Sequence, residues 1–495
     1  MKLLKYATVA VLSASLWPAV ASADEFDGVR DSIRRRLLEE RVPAIAVAVW
    51  HNGAIVWEEG FGWADRERRV AADEHTPFSI ASLSKTMTST AVMTLVQAGK
   101  IELDAPANDY LGSDPIQSRV GEPRSVTVRQ LLNHTSGLPQ ADNFFYGAAQ
   151  PLTPTLSQTI HRYGIVMAQP GEHYRYSNLG YGILGHMIAR VSGKSYADYL
   201  RQQVFLPLGM TRSAVGVAPG LAAHRAVRYD FDRNPIAEYV SAEPASGAVY
   251  ASVHDLARFG MFLLKNRLAD QMPVLSDPSL DRMWSDTTPT SPTHGYGLGV
   301  NVATKSGYRI IGHAGSMSGV HSDFAVVPER NLGVAVLSNA DGGAGDLRDV
   351  ILAKLLSGWR DVSIPRQPEP AFAPTSEMIG SWRGNIHTYE GDRPIRLQIQ
   401  ASGDVHIRIG GEPAFAGRST LLQEALLNQV VFKDGELRGT TLARIETSDT
   451  QRHPHTVLLN LKLQGGKLSG AALAVSTYEG FWIYALPYWT ELERD

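Results

Sequence analysis

The order of apolar and polar residues divides the chain into regions with different periods. Residues 24–41 place apolar side chains at the spacing of one helix face, and the strand-length apolar runs 44–50 and 54–57 follow. Asn52-Gly53 separates these two runs, and Asn-Gly in that position is the strongest short-range signal of a β-hairpin. The N-terminal part therefore predicts a helix followed by a hairpin.

A long helical block follows, and strand patterns return after it. Over residues 101–292 most apolar residues recur at helical spacing. Strand patterns then occupy residues 308–311, 323–327 and 332–337. Strands from both ends of a helical block predict one antiparallel sheet assembled from distant parts of the chain. The expected fold class is α+β, with the helical region beside the sheet and a cleft at their junction.

The pattern changes again after a proline-rich stretch. Residues 363–377 have the composition of a linker, and beyond them short alternating segments such as 395–399 and 405–409 are separated by turn residues. This pattern is typical of an all-β barrel or sandwich. The predicted organisation is a signal segment (1–23), a first domain (24–362), the linker (363–377) and a C-terminal β-domain (378–495).

The first 23 residues have the features of a secretory signal. Two lysines, Lys2 and Lys5, precede the apolar run 7–20, and residues 21–23, Ala-Ser-Ala, form a cleavage pattern. The alternative is a membrane anchor, but Pro18 interrupts the run, which is shorter than the roughly 20 residues that a span requires. We expect cleavage, export to the periplasm or beyond, and no stable membrane span in the mature chain.

Composition excludes several classes of chemistry. The 495 residues include no cysteine, so disulfides, thiolate metal sites and a cysteine nucleophile are excluded. The formal net charge is -3 and 20% of the residues are charged, a balance that gives no indication of a nucleic-acid partner. The chemistry must therefore come from other side chains.

A Ser-x-x-Lys pair, Ser82 and Lys85, stands in front of the apolar-periodic run 87–96. Residues three apart on a helix share a face, so the hydroxyl and the amine would lie side by side on the first turn. The positive helix N-terminus favours negative charge on Ser82 and disfavours a proton on Lys85, which makes Lys85 a candidate to activate a serine nucleophile. The competing interpretation is a helix N-cap beside a solvated lysine.

A second candidate motif is Tyr176-Ser177-Asn178, on a loop that follows the turn at Pro170-Gly171. In a cleft, the phenol is a candidate base, and the amide can fix the lysine or a substrate carbonyl. By itself, the pattern is better explained by a helix-capping asparagine beside a packed aromatic ring.

The third candidate is His313-Ala314-Gly315-Ser316, at the predicted end of the strand 308–311. A strand edge there would offer backbone groups to an extended substrate. The N–H of Ser316 is a candidate, together with that of Ser82, for an oxyanion hole. The alternative is a strand end that runs into a glycine-rich turn.

Together, and in this order, the three motifs resemble those of the serine β-lactamase and penicillin-binding-protein superfamily. The match is strongest to the class C-like branch, which includes D-alanyl-D-alanine carboxypeptidases, D-aminopeptidases and esterases, and it covers residues 25–360. The C-terminal region resembles, more loosely, the lipocalin-like barrels appended to some of these hydrolases. The resemblance implies a β-lactamase/transpeptidase-like catalytic domain, with an antiparallel sheet flanked by helices and a helical insert, followed by a lipocalin-like barrel.

The resemblance also implies roles for the motif residues. Ser82 attacks a carbonyl and forms an acyl-enzyme, and Lys85 and Tyr176 share the proton transfers, with the choice of general base left open between them. Asn178 orients Lys85 and the substrate. The other substrate-binding positions are His313, Gly315 and Ser316. Such a site needs no metal or cofactor.

Two positions depart from the pattern of that branch. His313 stands where class C β-lactamases have a lysine, and histidine is largely neutral near pH 7. Ala314 lacks the hydroxyl that many relatives direct at a substrate carboxylate. Both changes weaken the expectation of efficient β-lactam hydrolysis and of strict C-terminal carboxylate recognition. Esters and N-terminal or small D-amino-acid amides stay open as substrates. Arg175 is either a source of positive charge or a solvated surface residue, and His134 is expected to be a structural loop histidine.

We therefore expect an exported serine hydrolase, periplasmic or secreted, that cleaves amide or ester bonds of small-molecule or peptide substrates, with cell-wall fragments among them. D-Amino-acid peptides and small esters are favoured. Two alternatives stay open, a β-lactamase proper and a non-catalytic penicillin-binding or sensor protein that kept the fold. A further hypothesis is that the barrel binds a ligand or plugs the cleft. No pattern encodes the oligomeric state.

Overall fold

The computed structural model describes residues 23–218, 220–342, 344–360, 372–410, 425–433, 435–478 and 481–495. The first 22 residues of the predicted signal segment and residues 363–371 of the predicted linker lie outside the described residues. Within the described ranges, no helix combines the length and the apolar character needed to cross a bilayer. The same ranges contain no group of three or more His, Asp and Glu side chains placed to hold a metal ion.

Helices and strands alternate along the first part of the chain. Its helices are α1 (Asp27–Glu39), α2 (Ser84–Gln97), α3 (Val128–Leu132), α4 (Leu156–Tyr163), α5 (Asn178–Ser192), α6 (Tyr196–Leu200), α7 (Pro244–Gly247), α8 (Val253–Leu263), α9 (Asp277–Ser285) and α10 (Leu347–Leu355). Its strands are β1 (Ala44–His51), β2 (Ala54–Asp65), β3 (Val70–Ala71), β4 (Phe78–Ser79), β5 (Gln117–Ser118), β6 (Asp142–Tyr146), β7 (Ile165–Val166), β8 (Ala214–Val215), β9 (Tyr239–Ser241), β10 (Val249–Ala251), β11 (Thr288–Ser291), β12 (His294–Tyr296), β13 (Asn301–Lys305), β14 (Tyr308–Met317), β15 (Val320–Val327) and β16 (Leu332–Ser338).

The main sheet joins the two ends of this first part. Its strands are antiparallel neighbours in the order β11-β12-β13-β14-β15-β16-β1-β2-β3. Strand β1 pairs with β16, so that Val47 lies opposite Val336. The prediction of one antiparallel sheet built from distant parts of the chain, with a helical region beside it, is confirmed.

The hairpin β1–β2 forms at the predicted dipeptide. Asn52 and Gly53 have φ values of 51° and 77°. Two successive left-handed residues are what a tight two-residue hairpin turn requires, and Asn-Gly adopts them at little cost. The strand predicted to end at Ile311 continues to Met317 as β14, because β15 pairs with it along that whole stretch. The His313-Ala314-Gly315-Ser316 motif therefore lies inside a strand rather than after one.

Two helices beside the sheet approach each other closely at a glycine. A Cβ on Gly185 of α5 would lie 2.5 Å from the Cβ of Ala245 in α7. The absent side chain lets α7 pack directly against α5, which fixes the next residue of α7, Ser246, over the N-terminal end of α2. Gly185 thus serves helix packing.

The C-terminal part folds into a nearly closed antiparallel barrel, which confirms the predicted all-β domain. Its strands are β17 (Gly380–Thr388), β18 (Gly391–Ile399), β19 (Val405–Ile409), β20 (Ala425–Leu426), β21 (Asn428–Lys433), β22 (Glu436–Thr441), β23 (Thr456–Gln464), β24 (Lys467–Tyr478) and β25 (Phe481–Arg494). They follow the order β20-β19-β18-β17-β25-β24-β23-β22-β21.

The barrel shares its sheet with the first part of the chain. Strand β6, which lies within the block predicted to be mainly helical, pairs with the start of β25, and Asp142 lies opposite Ala485. A short segment whose partner strand comes more than three hundred residues later shows no local hairpin signal. This pairing places one end of the barrel at the edge of the cleft described below.

Candidate active site

Ser82 lies in a single 3₁₀ turn, Ala81–Leu83, immediately before helix α2. Ala81 has a φ of 44°, a left-handed conformation that is uncommon for a residue with a side chain. Ser84 fixes the turn, since its Oγ donates to the Ala81 carbonyl at 2.6 Å and accepts from the Val249 N–H at 3.0 Å. The half-buried Ser82 hydroxyl is thereby held at the surface of a cleft.

Lys85 is completely buried beside this serine. Its Nζ donates to Ser82 Oγ at 3.2 Å and to the Ser246 carbonyl oxygen at 2.7 Å. Burial lowers the pKa of Lys85 to about 7, and the nearby Asp142 carboxylate opposes that effect. The alternative of a solvated lysine is therefore excluded. A lysine with a pKa near 7 is unprotonated often enough at neutral pH to accept a proton.

The Tyr176 hydroxyl lies beside Ser82, close enough for the serine to lower the pKa of the phenol. Its aromatic ring lies 4.8 Å from Lys85 Nζ, measured to the ring centre. Burial raises the pKa of Tyr176 far above its ordinary value, although the neighbouring Ser82 acts in the opposite direction. The structure thus brings Ser82, Lys85 and Tyr176 into contact, with the phenol protonated at neutral pH.

His134 supports the tyrosine from behind. It is fully buried, and its ring centre lies 4.3 Å from that of Tyr176. Its Nδ1 accepts the backbone N–H of Ser177 at 3.1 Å, which ties the two ends of this loop together. Burial lowers the pKa of His134 well below its usual value, and positive charge on Lys85 adds to the effect. His134 is thus a neutral packing residue, as a structural histidine would be.

Asn178 contacts a carboxylate rather than the lysine. Its Nδ2 donates to Asp142 Oδ1 at 2.6 Å, while its own Oδ1 is buried without a hydrogen-bond partner. Asp142 Oδ2 accepts from Gln140 Nε2 at 2.9 Å, and the neighbouring indole of Trp482 also helps to lower the pKa of this carboxyl group. Burial raises the pKa of Asp142, whereas these donors and Lys85 lower it.

The residues of the His313 motif fall into different environments. His313 is buried, and its Nδ1 lies 2.6 Å from the Ala314 carbonyl and donates to it, so its Nε2 accepts from the Tyr296 hydroxyl at 2.9 Å. Burial lowers the pKa of His313 to about 3, with Lys85 acting in the same direction. Gly315 packs against the segment before Ser82, where a Cβ would overlap the Ile80 carbonyl oxygen. Only Ser316 lines the cleft.

The cleft in front of Ser82 has a volume of about 400 Å³. Its lining residues are Ala81, Ser82, Gln140, Asp142, Phe144, Tyr176, Asn178, Ser246, Gly247, Ser316, Met317, Ser318, Asp341 and Trp482. A second cavity of about 400 Å³, between the first part of the chain and the barrel, shares Gln140 and Tyr176 with it. The chemistry therefore lies in an open cleft that continues along the domain boundary.

A family model described as Beta-lactamase matches residues 29–357. The chain belongs to the beta-lactamase family. Among curated relatives, the unguisins hydrolase ungD' of Aspergillus campestris is 26% identical over 62% of this chain and 60% of its own length. The matched region thus spans less than two thirds of that relative.

Two solved structures have the same fold as this chain. The octameric penicillin-binding protein homologue from Pyrococcus abyssi is 24% identical with a TM-score of 0.59, over 93% of this chain and 99% of its own. A class C beta-lactamase is 21% identical with a TM-score of 0.57, over 69% of this chain and 98% of its own. The likeness to the first of these extends beyond the beta-lactamase region of this chain.

In this beta-lactamase-family chain the barrel adds a wall to the cleft. Trp482 of β25 lines the cleft. Its backbone N–H donates to Ser318 Oγ at 3.1 Å, and its backbone carbonyl accepts from the Tyr146 hydroxyl at 2.9 Å. Arg175, considered above as a source of positive charge, instead pairs with Glu436 of the barrel. Its charge is therefore neutralised at the domain boundary.

The cleft groups that sequence reasoning missed include Asp142, Trp482 and the Ser246 carbonyl. A signal for Asp142 exists, because a single acidic residue stands two positions before the strand-like aromatic run 144–146. Trp482 and Ser246 belong to no motif. Their positions depend on the pairing of β6 with β25 and on the packing of α7 against α5.

Proposed function

We propose that this chain is an exported serine hydrolase that cleaves amide or ester bonds through an acyl-enzyme on Ser82. The observation that carries the proposal is the contact of two proton-transfer groups with one serine: Lys85 Nζ at 3.2 Å and the Tyr176 hydroxyl. Membership of the beta-lactamase family supports it, as does the hydrolase activity in the name of the fungal relative.

The proton states suggest a division of labour. Neutral Lys85 takes the proton of Ser82 as Oγ attacks the carbonyl carbon, because its pKa of about 7 leaves much of it unprotonated at neutral pH. The proton then passes through Tyr176 to the leaving nitrogen or oxygen as its bond to that carbon breaks. Water attacks the acyl ester, gives one proton back to Ser82, and releases the carboxylic acid.

The charges around the cleft favour some substrates over others. His313 is neutral and buried, so it presents no cation where class C β-lactamases have a lysine. The lining contains the carboxylates of Asp142 and Asp341. A substrate carboxylate beside the scissile bond, as in penicillins, would meet like charge. We therefore propose small esters and D-amino-acid peptides as substrates. For an exported enzyme, cell-wall peptides are the proposed source of the D-amino-acid peptides.

A substrate panel with one active-site variant tests this function. The panel comprises p-nitrophenyl esters, D-amino-acid anilides, D-Ala-D-Ala peptides and nitrocefin. We expect turnover of esters or anilides and a loss of about 10³-fold or more in Ser82→Ala, with Ser291→Ala as the exposed-serine control. Fast nitrocefin turnover would identify a β-lactamase proper. Acylation by a penicillin without turnover of any substrate would identify a sensor.

A further inference from the structure

The side chains that line the cleft of Ser82 are unbalanced in charge. Asp142 and Asp341 both line it, and within the described ranges no lysine or arginine side chain does. Lys85 is buried behind the serine and is itself held near neutrality by burial. A ligand that fills this cleft next to the serine therefore meets negative charge.

The carboxylate of Asp142 is held in a fixed position by its neighbours. Asp142 is only 5% exposed, and its carboxylate accepts hydrogen bonds from Asn178 Nδ2 and Gln140 Nε2, with the Trp482 indole beside it. All three of these groups are uncharged. A buried carboxylate costs free energy unless a positive charge compensates it. These neutral groups orient the carboxylate, and the nearby Lys85, whose own pKa is lowered by burial to about 7, compensates its charge only in part.

Asn178 adds a second acceptor without a partner. Its Nδ2 must face Asp142, because only the amide nitrogen can donate to a carboxylate. Its Oδ1 is consequently turned the other way, and it is buried with no donor within hydrogen-bond distance. Two acceptors thus lie together, a carboxylate whose charge is only partly compensated and a carbonyl oxygen without a hydrogen-bond partner. A positively charged donor would satisfy both.

We propose that Asp142 and Asn178 form a subsite for a protonated primary amine, the α-amino group next to the scissile carbonyl. The inference rests on the proposed function and specifies its substrates, which are amino-acid amides, peptides with a free N-terminus, or amino-acid esters. An α-amino group is mostly protonated at pH 7, since its ordinary pKa is about 7.7–8.0. It offers three N–H donors, enough for the carboxylate and the carbonyl oxygen together.

Asp142 also acts on the pKa of Lys85, and that role alone predicts a different outcome for its replacement. Asp142 raises the pKa of Lys85, so its removal changes the proton-transfer machinery for every substrate alike. An amine subsite affects only substrates that carry the amine. The comparison must therefore use two substrates that differ only in the α-amino group.

The experiment measures kcat/KM for D- and L-alanine p-nitroanilide and for propionyl p-nitroanilide, which lacks only the amine. In Asp142→Asn we expect a loss of about 10- to 100-fold for the preferred alanine substrate, mainly in KM, beyond any change for the propionyl substrate. The control Asp341→Asn removes the other cleft carboxylate, and it should leave the ratio of the two substrates within about twofold of wild type, the scatter expected for an uncoupled site.

Equal losses for both substrates in Asp142→Asn would overturn the subsite. If that variant does not fold, the wild-type protein decides the question with N-acetyl-D-alanine p-nitroanilide as a third substrate. A preference of about tenfold or more for the free amine supports the subsite, and equal or reversed rates overturn it. Ser82-dependent hydrolysis of p-nitrophenyl propionate without any amine preference would reject the subsite and leave the proposed function intact. Activity that survives Ser82→Ala would reject the function itself.

Discussion

The indole of Trp482, on the last barrel strand, lies beside the carboxylate of Asp142 in the cleft wall and helps to lower the pKa of that group. These residues belong to strands β25 and β6, which also pair through their backbones, with Tyr484 opposite Asn143. The barrel is therefore part of the cleft rather than an independent appendage. Truncation after Ser363 would remove the strand partner of Asp142, so a point substitution is the sharper test of what the barrel does.

Replacing Trp482 should change which substrates fit. Trp482→Ala removes both the wall and the indole donor, so kcat/KM for p-nitrophenyl butyrate relative to the acetate should rise by about threefold or more. Trp482→Phe keeps most of the wall and should leave that ratio near wild type. The exposed Trp63→Ala is the matched control. An unchanged ratio in Trp482→Ala would mean that the indole does not limit the acyl group.

The pH dependence of the reaction should report Lys85. Because the base must be unprotonated, kcat/KM for p-nitrophenyl propionate should fall about tenfold per pH unit below a midpoint near 7. Asp142 raises the pKa of Lys85, so Asp142→Asn should move this acidic limb to lower pH. A stopped-flow pH–rate profile gives both midpoints. A limb that stays in place, or moves to higher pH, contradicts the assignment of Lys85 as the base.

Two glycines of α5 should respond oppositely to alanine. At Gly185 the new Cβ would lie 2.5 Å from the Ala245 Cβ, so Gly185→Ala should destabilise the fold by about 1–3 kcal/mol and displace α7. Activity should fall too, because α7 carries the Ser246 carbonyl that holds Lys85. At Gly180 the nearest atom is 3.6 Å away, so Gly180→Ala should be neutral or stabilising by about 0.5 kcal/mol. Thermal unfolding midpoints and ester turnover provide the comparison, and equal effects at both positions would contradict it.

Local patterns were sufficient for the elements whose partners are near or strongly periodic. Asn52-Gly53 specified its hairpin because both residues tolerate the left-handed backbone that the turn needs. Alternation over the last 118 residues specified a barrel, because each strand there pairs mostly with a close neighbour in sequence. The C-terminal end of β14 at Met317 was not predicted, because pairing with β15 rather than local composition determines the length of this strand.

The site divides in the same way. Motif spacing pointed to Ser82, Lys85 and Tyr176, and the structure shows these side chains in contact. Motif spacing could not show that Asn178 contacts Asp142, because Asp142 belongs to a strand that pairs with the barrel. Nor could it show that Arg175 is paired with Glu436, whose position depends on how the two parts of the chain pack.

The central claim is that Ser82 becomes acylated, and a mass measurement tests it most directly. The protein is treated with a fluorophosphonate, digested, and the labelled peptide is identified by tandem mass spectrometry. We predict one adduct, on Ser82, in the wild-type protein and none in Ser82→Ala. An adduct on another residue, or ester turnover that persists in Ser82→Ala, would contradict the account.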